Sequence, residues 1–142
     1  MTNLEKKIVA FIREAGDKSK YTPEQQKIYT AFTKTSGSKI YLRVTDKFNV
    51  SYKLYMPTGY YLEKIMTKHY QGAKGMVTAF EILNLLDVIR TGDKYRDIDT
   101  GHWVYYKRYR RKGATYTAIV KIAKDGINSH LLSFYTNIGY GK

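Results

Sequence analysis

The chain has 142 residues, a formal net charge of +13, 15 tyrosines and no cysteine. That length is one domain with a core of its own, and an apolar fraction of 43% excludes a disordered tail. Without thiols there is no disulfide, no thiolate nucleophile and no cysteine zinc site, and no apolar run approaches the roughly 20 residues that span a bilayer.

The charge calls for a polyanionic partner, nucleic acid first and an anionic membrane surface second. Tyrosine sharpens that expectation, because aromatic faces stack on bases while Lys and Arg hold phosphates. The competing reading takes tyrosine as a β-former with its hydroxyl at the solvent edge. Met-Thr-Asn-Leu-Glu-Lys-Lys opens the chain without a signal-peptide core. The expectation is a protein that acts in the cytoplasm without entering a membrane, made there or delivered as the tip of a larger one.

Leu4, Ile8, Phe11 and Ile12 fall at helical spacing, with Thr2 or Asn3 as cap and Gly16 as stop. Thr22-Pro23-Glu24 begins a second helix striped by Ile28, Tyr29 and Phe32, until Thr35-Ser-Gly37-Ser breaks it. Residues 39–44 and 50–56 read as a hairpin, since Val50, Tyr52 and Leu54 alternate with Ser51, Lys53 and Tyr55. Leu62, Ile65, Met66 and His69 give a helical face over 60–70. After a loop at 71–75, residues 78–90 predict one continuous apolar helix stopped at Gly92. Residues 93–101 read as a charged loop.

The stretch from Gly101 to Asn137 predicts a three-stranded antiparallel meander. Its first strand carries His102, Trp103, Val104, Tyr105 and Tyr106. Five cations then fill positions 107–112: Lys107, Arg108, Arg110, Arg111 and Lys112. Lys112-Gly113 and Asp125-Gly126 are turn signals. The fold class is therefore α+β: N-terminal helices and a hairpin, central helices, and the meander. Residues 1–142 form one domain, 1–57 supporting a core at 60–137.

His69, His102 and His130 lie far apart without a metal-binding spacing, and Asp93, Asp97 and Asp99 lack that of a calcium loop. No metal or other cofactor is expected. RNA cleavage by the substrate's own 2′-hydroxyl needs only a base, cations for the phosphate and an acid for the leaving oxygen. Ser133 and Tyr135 are two apart and share a face, while Leu132 and Phe134 point the other way. In the first strand His102, Val104, Tyr106, Arg108 and Arg110 share one side, and Trp103, Tyr105, Lys107, Tyr109 and Arg111 the other. Alternation alone leaves open which side faces Ser133.

A helix ending in Lys68-His69, an apolar helix, and a basic meander ending Leu-Leu-Ser-Phe-Tyr resemble the barnase–EndoU–colicin E5/D–RelE group. The resemblance spans residues 60–137 and is strongest to the phage and polymorphic-toxin branch of these metal-independent ribonucleases. It implies His69 as the acid–base residue, Lys107 and Arg108 through Arg111 stabilising phosphate, and Ser133 with Tyr135 orienting it. Lys68, Trp103, Tyr105, Arg110, Arg111 and Lys112 would contact the nucleic acid. EndoU-type members carry two histidines in the helical half; here His102 would supply the second. The expected function is an endoribonuclease of toxin or phage type, with RNA as substrate and an acidic immunity or antitoxin protein as partner. The alternative is a nucleic-acid-binding protein without catalysis, such as a phage regulator or inhibitor.

Overall fold

The computed structural model describes residues 1–34, 39–72, 75–111, 113–125 and 128–138. The expected helix break at 35–38, Lys112 and the turn glycine Gly126 lie outside the described residues.

Helix α1 (Asn3–Ala15) starts with a capping box, in which Thr2 and Glu5 satisfy each other's backbone N–H groups, and stops at Gly16. Helix α2 (Pro23–Thr33) has the same device from Thr22 and Gln25, with Pro in the first turn. Strands β1 (Tyr41–Thr45) and β2 (Ser51–Tyr55) form the expected hairpin, burying Leu42, Val44, Tyr52 and Leu54 from alternate positions.

Three expectations change downstream. The helix expected over 60–70 is α3 (Gly59–Lys64) running into a π-helical turn, Ile65–His69. The continuous helix expected over 78–90 is two short ones, α4 (Ala79–Leu83) and α5 (Leu86–Thr91). Ile82, Leu83, Leu85, Leu86, Val88 and Ile89 are all buried. A straight surface helix has only one apolar stripe to bury. The break at Asn84 re-aims the second half, and the Asn84 amide donates to the Phe80 carbonyl at 2.8 Å. The loop expected over 93–101 begins as strand β3 (Asp93–Arg96), antiparallel to β4 (Trp103–Arg111). With β5 (Ala114–Asp125) and β6 (Asn128–Ile138), four consecutive strands rather than three occupy the C-terminal part. Charged side chains hid β3 from an apolar count, yet such charge is how edge strands resist pairing with other chains.

The architecture is α+β, with one six-stranded mixed sheet in the order β1-β2-β6-β5-β4-β3. Its parallel pairing joins β2 to β6. The sheet curls until its two edges meet: Lys94 of β3 reaches Asp46, just beyond β1, at 2.9 Å, and Lys47 reaches Asp93 at 2.6 Å. Helix α5 touches β1, β4 and β5 and fills the curl. The chain passes from α5 into β3 at Gly92, where a Cβ would stand 2.3 Å from the Val88 carbonyl and 2.5 Å from that of Tyr106. The core between the helices and the inner sheet face includes Phe11, Phe32, Leu54, Ile65, Ile89, Tyr105, Val120, Ile122 and Phe134.

Candidate nucleic-acid interface

Pairing register settles which side of β4 faces Ser133. Directly paired residues of an antiparallel ladder share a face. Val104 pairs with Lys121 and Lys121 with Ser133; Tyr106 pairs with Ile119 and Ile119 with Tyr135; Arg108 pairs with Thr117 and Thr117 with Asn137. The outer face of β4–β6 is therefore built from Val104, Tyr106, Arg108 and Arg110 beside Lys121, Ser133, Tyr135 and Asn137. Arg108 and Arg110 are exposed on it. A bulge at Lys121/Ile122 inserts Leu132, so Leu131 rather than Leu132 joins Phe134 in the core.

At the β6 edge of this face lies a cleft of about 290 Å³, lined by Lys64, Lys68, His69, Gly75, Lys121, Ser133, Tyr135 and Asn137. Each wall has a local cause. The π turn ends where the Tyr70 N–H reaches back five residues to the Ile65 carbonyl at 2.9 Å, and such widened turns concentrate at functional sites. Helix α1 holds its end in place: Lys7 donates to the Tyr70 carbonyl at 2.8 Å, and the Tyr70 hydroxyl donates to Glu14 at 2.6 Å. Burial, then the Glu14 carboxylate, push the Tyr70 hydroxyl far above its ordinary range, so it stays a donor.

The His69 ring stacks on Tyr135, centroids 5.2 Å apart and planes 25° from parallel, and Lys121 Nζ lies 5.4 Å from the Tyr135 centroid. The loop after the π turn is pinned to β6, where the Thr136 N–H donates to the Gly75 carbonyl and the Thr136 hydroxyl to the Met76 carbonyl. Gly75 has φ +62°, and a Cβ there would stand 2.9 Å from His69 Nδ1 and 3.0 Å from Tyr135 Cβ. Glycine is thus required for two reasons, conformation and space. His69 is only 6% exposed and Ser133 4%, so the cleft presents edges of these groups above a lysine rim.

The cleft unites His69, Lys68, Ser133 and Tyr135 of the residues expected from sequence, and adds Lys64, Lys121, Gly75 and Asn137. Alternation on β5 and β6 would have found Lys121 and Asn137; Gly75 carries no such signal. Arg108 and Arg110 share the face.

The other expected contacts fall elsewhere. Lys107 projects from the inner side, its ammonium 3.0 Å from Asp87 and 2.7 Å from the Thr91 hydroxyl. Tyr105 is fully buried, donating to Asp46 at 2.6 Å while the Tyr52 hydroxyl lies 2.6 Å away. Trp103 packs on the core with Lys94 Nζ 4.6 Å from its ring. Arg111 pairs with Ala114 at the end of the β4–β5 ladder, and Lys112 is outside the described residues. His102 precedes β4, where its carbonyl accepts from the Asp97 N–H, and does not line the His69 cleft. The run of cations is thus divided by the two-residue period of the strand, and only its even-numbered arginines share the face of Ser133.

Among the described residues no three His, Asp or Glu side chains gather within reach of a common metal ion, and no helix is long and apolar enough to cross a membrane. No protein-family model, curated protein or solved structure matches this chain.

Proposed function

We propose that this protein is a metal-independent endoribonuclease of toxin or phage type that holds RNA on the outer face of β4–β6. The observation that carries the reading is the His69–Tyr135 stack opening onto Lys64, Lys68, Lys121 and Ser133 in one cleft. Cleavage by 2′-hydroxyl attack needs a group that takes the hydroxyl proton, a group that returns one to the leaving 5′-oxygen, and cations for the charge developing on phosphorus. His69 serves as the acid–base residue. Lys68 and Lys121 stabilise the phosphate, and Ser133 positions it. Tyr135 orients the imidazole through its stacked ring. Arg108 and Arg110 extend the phosphate track across the sheet. Lys107, named above for the phosphate, has its ammonium committed to Asp87 on the opposite side and is left out of the mechanism.

A second reading is favoured by the burial of His69: the same face binds nucleic acid without cutting it. An acidic immunity or antitoxin partner would cover the same cations. Incubation of labelled single-stranded RNA with the protein in EDTA separates the two readings. The nuclease reading expects 2′,3′-cyclic phosphate ends, lost in His69→Ala while binding persists. Binding without cleavage by the wild-type protein establishes the second reading.

A further inference from the structure

The outer face holds a second cleft, on β3–β5, that the His69 chemistry does not use. Its volume is about 280 Å³ and it is lined by Tyr95, Val104, Tyr106, Thr117 and Ile119. The floor is apolar and closed, with Val104 1%, Thr117 3% and Ile119 7% exposed, although Val104 and Ile119 lie outside the main core. The rim is two exposed tyrosines, Tyr95 and Tyr106, with centroids 6.0 Å apart and planes inclined at 51°. In the floor, the Thr117 hydroxyl is buried without a hydrogen-bond partner among the described residues. Such a group is costly to leave unpaired and is more often satisfied.

We infer that this cleft is a nucleobase subsite, which makes the ligand a single-stranded rather than a duplex nucleic acid. The inference rests on the outer face being the nucleic-acid surface. Three features agree on a base as occupant. The volume falls just below the ~300–1,000 Å³ of small-molecule sites, so it suits one flat ring system. Exposed tyrosine faces stack on any base. The Thr117 hydroxyl both donates and accepts, so a small rotation about its χ1 meets either kind of group on a base edge. Bases inside a duplex have their faces and pairing edges occupied, whereas an unpaired base is free to enter. The subsite also lies in register with the catalytic cleft: Tyr106, Ile119 and Tyr135 form one cross-strand row, about 10 Å long at two strand spacings. One short oligonucleotide reaches both.

Fluorescence anisotropy with three labelled hexamers, 2′-O-methylated so that 2′-hydroxyl attack cannot cut them, tests this: a single-stranded RNA, its duplex, and an abasic phosphate backbone of the same length. Wild-type protein is expected to bind the single strand most tightly, with the abasic backbone and the duplex each at least about tenfold weaker, the size of one lost stacking contact. Thr117→Val keeps the shape and removes the hydroxyl; it is expected to weaken the single strand about threefold to tenfold and leave the abasic backbone unchanged. Tyr106→Ala is expected to do the same more strongly, with Tyr106→Phe restoring affinity. Circular dichroism melts confirm that the variants are folded. Equal binding of the single strand and the abasic backbone, or full affinity in both Thr117→Val and Tyr106→Ala, overturns the base subsite while leaving the phosphate-binding face standing. Failure of the wild type to bind any of the three overturns both.

Discussion

Asp46 shows how much a single side chain holds together here. Its carboxylate accepts from the Phe48 and Val50 N–H groups, from Lys94 and from the Tyr105 hydroxyl, and thereby ties the β1–β2 turn to β3 and β4. Burial alone would raise its pKa; the four hydrogen bonds outweigh that and hold it below the ordinary value of about 3.9. A carboxylate with a depressed folded pKa contributes stability above its unfolded pKa and loses it as pH falls through the folded value. The thermal midpoint should therefore drop as pH falls below about 4. In Asp46→Asn that drop should be shallower, and an unchanged slope in a pH series of melts would refute the assignment. Asp46→Ala leaves the Lys94 ammonium and the buried Tyr105 hydroxyl without their acceptor, and should cost about 3 kcal/mol in denaturant titrations. Gly75 is the other residue with a sharp consequence. A Cβ at its positive φ pushes into His69 and Tyr135, so Gly75→Ala should destabilise by about 1–2 kcal/mol and reduce cleavage by more than it reduces RNA affinity. Parallel kcat and KM measurements separate those effects.

Elements with one clear period were legible in the sequence. Cap residues and stripes marked α1 and α2, alternation marked β2, β4 and β6, and turn signals bounded β5. The junctions were harder to read. Residues 78–90 are apolar on too many sides for one stripe, and that excess is the trace of the break at Asn84. The π turn leaves no such trace, because its widening is a matter of backbone hydrogen bonding rather than of composition. β3 was missed because its stability comes from pairing with β4 and from Lys94 on Asp46, contacts remote in sequence. For the candidate site, grouping Ser133 with Tyr135 needed only the strand period; choosing the partner face of β4 needed the register. Lys107 and Arg108 are adjacent in sequence and opposite in role. Lys107→Ala should lower stability by no more than about 1 kcal/mol, since its pair with Asp87 is part exposed, and should leave RNA affinity unchanged. Melts and anisotropy on the same sample check both halves.

For the whole molecule the deciding quantity is the +13 charge and where the fold puts it. The curl turns the Tyr105 hydroxyl inward onto Asp46 and the Tyr52 hydroxyl onto Tyr105, while α5 takes Lys107, leaving Arg108, Arg110, Lys121, Lys64 and Lys68 around the outer face. Affinity for a single strand falls with salt at a log–log slope of about −0.7 per phosphate neutralised. A face-specific pair of substitutions therefore has a face-specific salt signature, independent of whether the bound RNA is cut. The most direct measurement is anisotropy of a labelled, 2′-O-methylated single-stranded RNA, which cannot be cut, across a salt series, comparing wild type, Arg108→Ala/Arg110→Ala and Lys107→Ala. If the outer face holds the strand, the arginine double variant weakens binding and flattens the slope by about 1.4, while Lys107→Ala keeps both. A slope lost in Lys107→Ala and kept in the arginine double variant would contradict the account, because it would put the nucleic acid on the side of the sheet that the helices occupy.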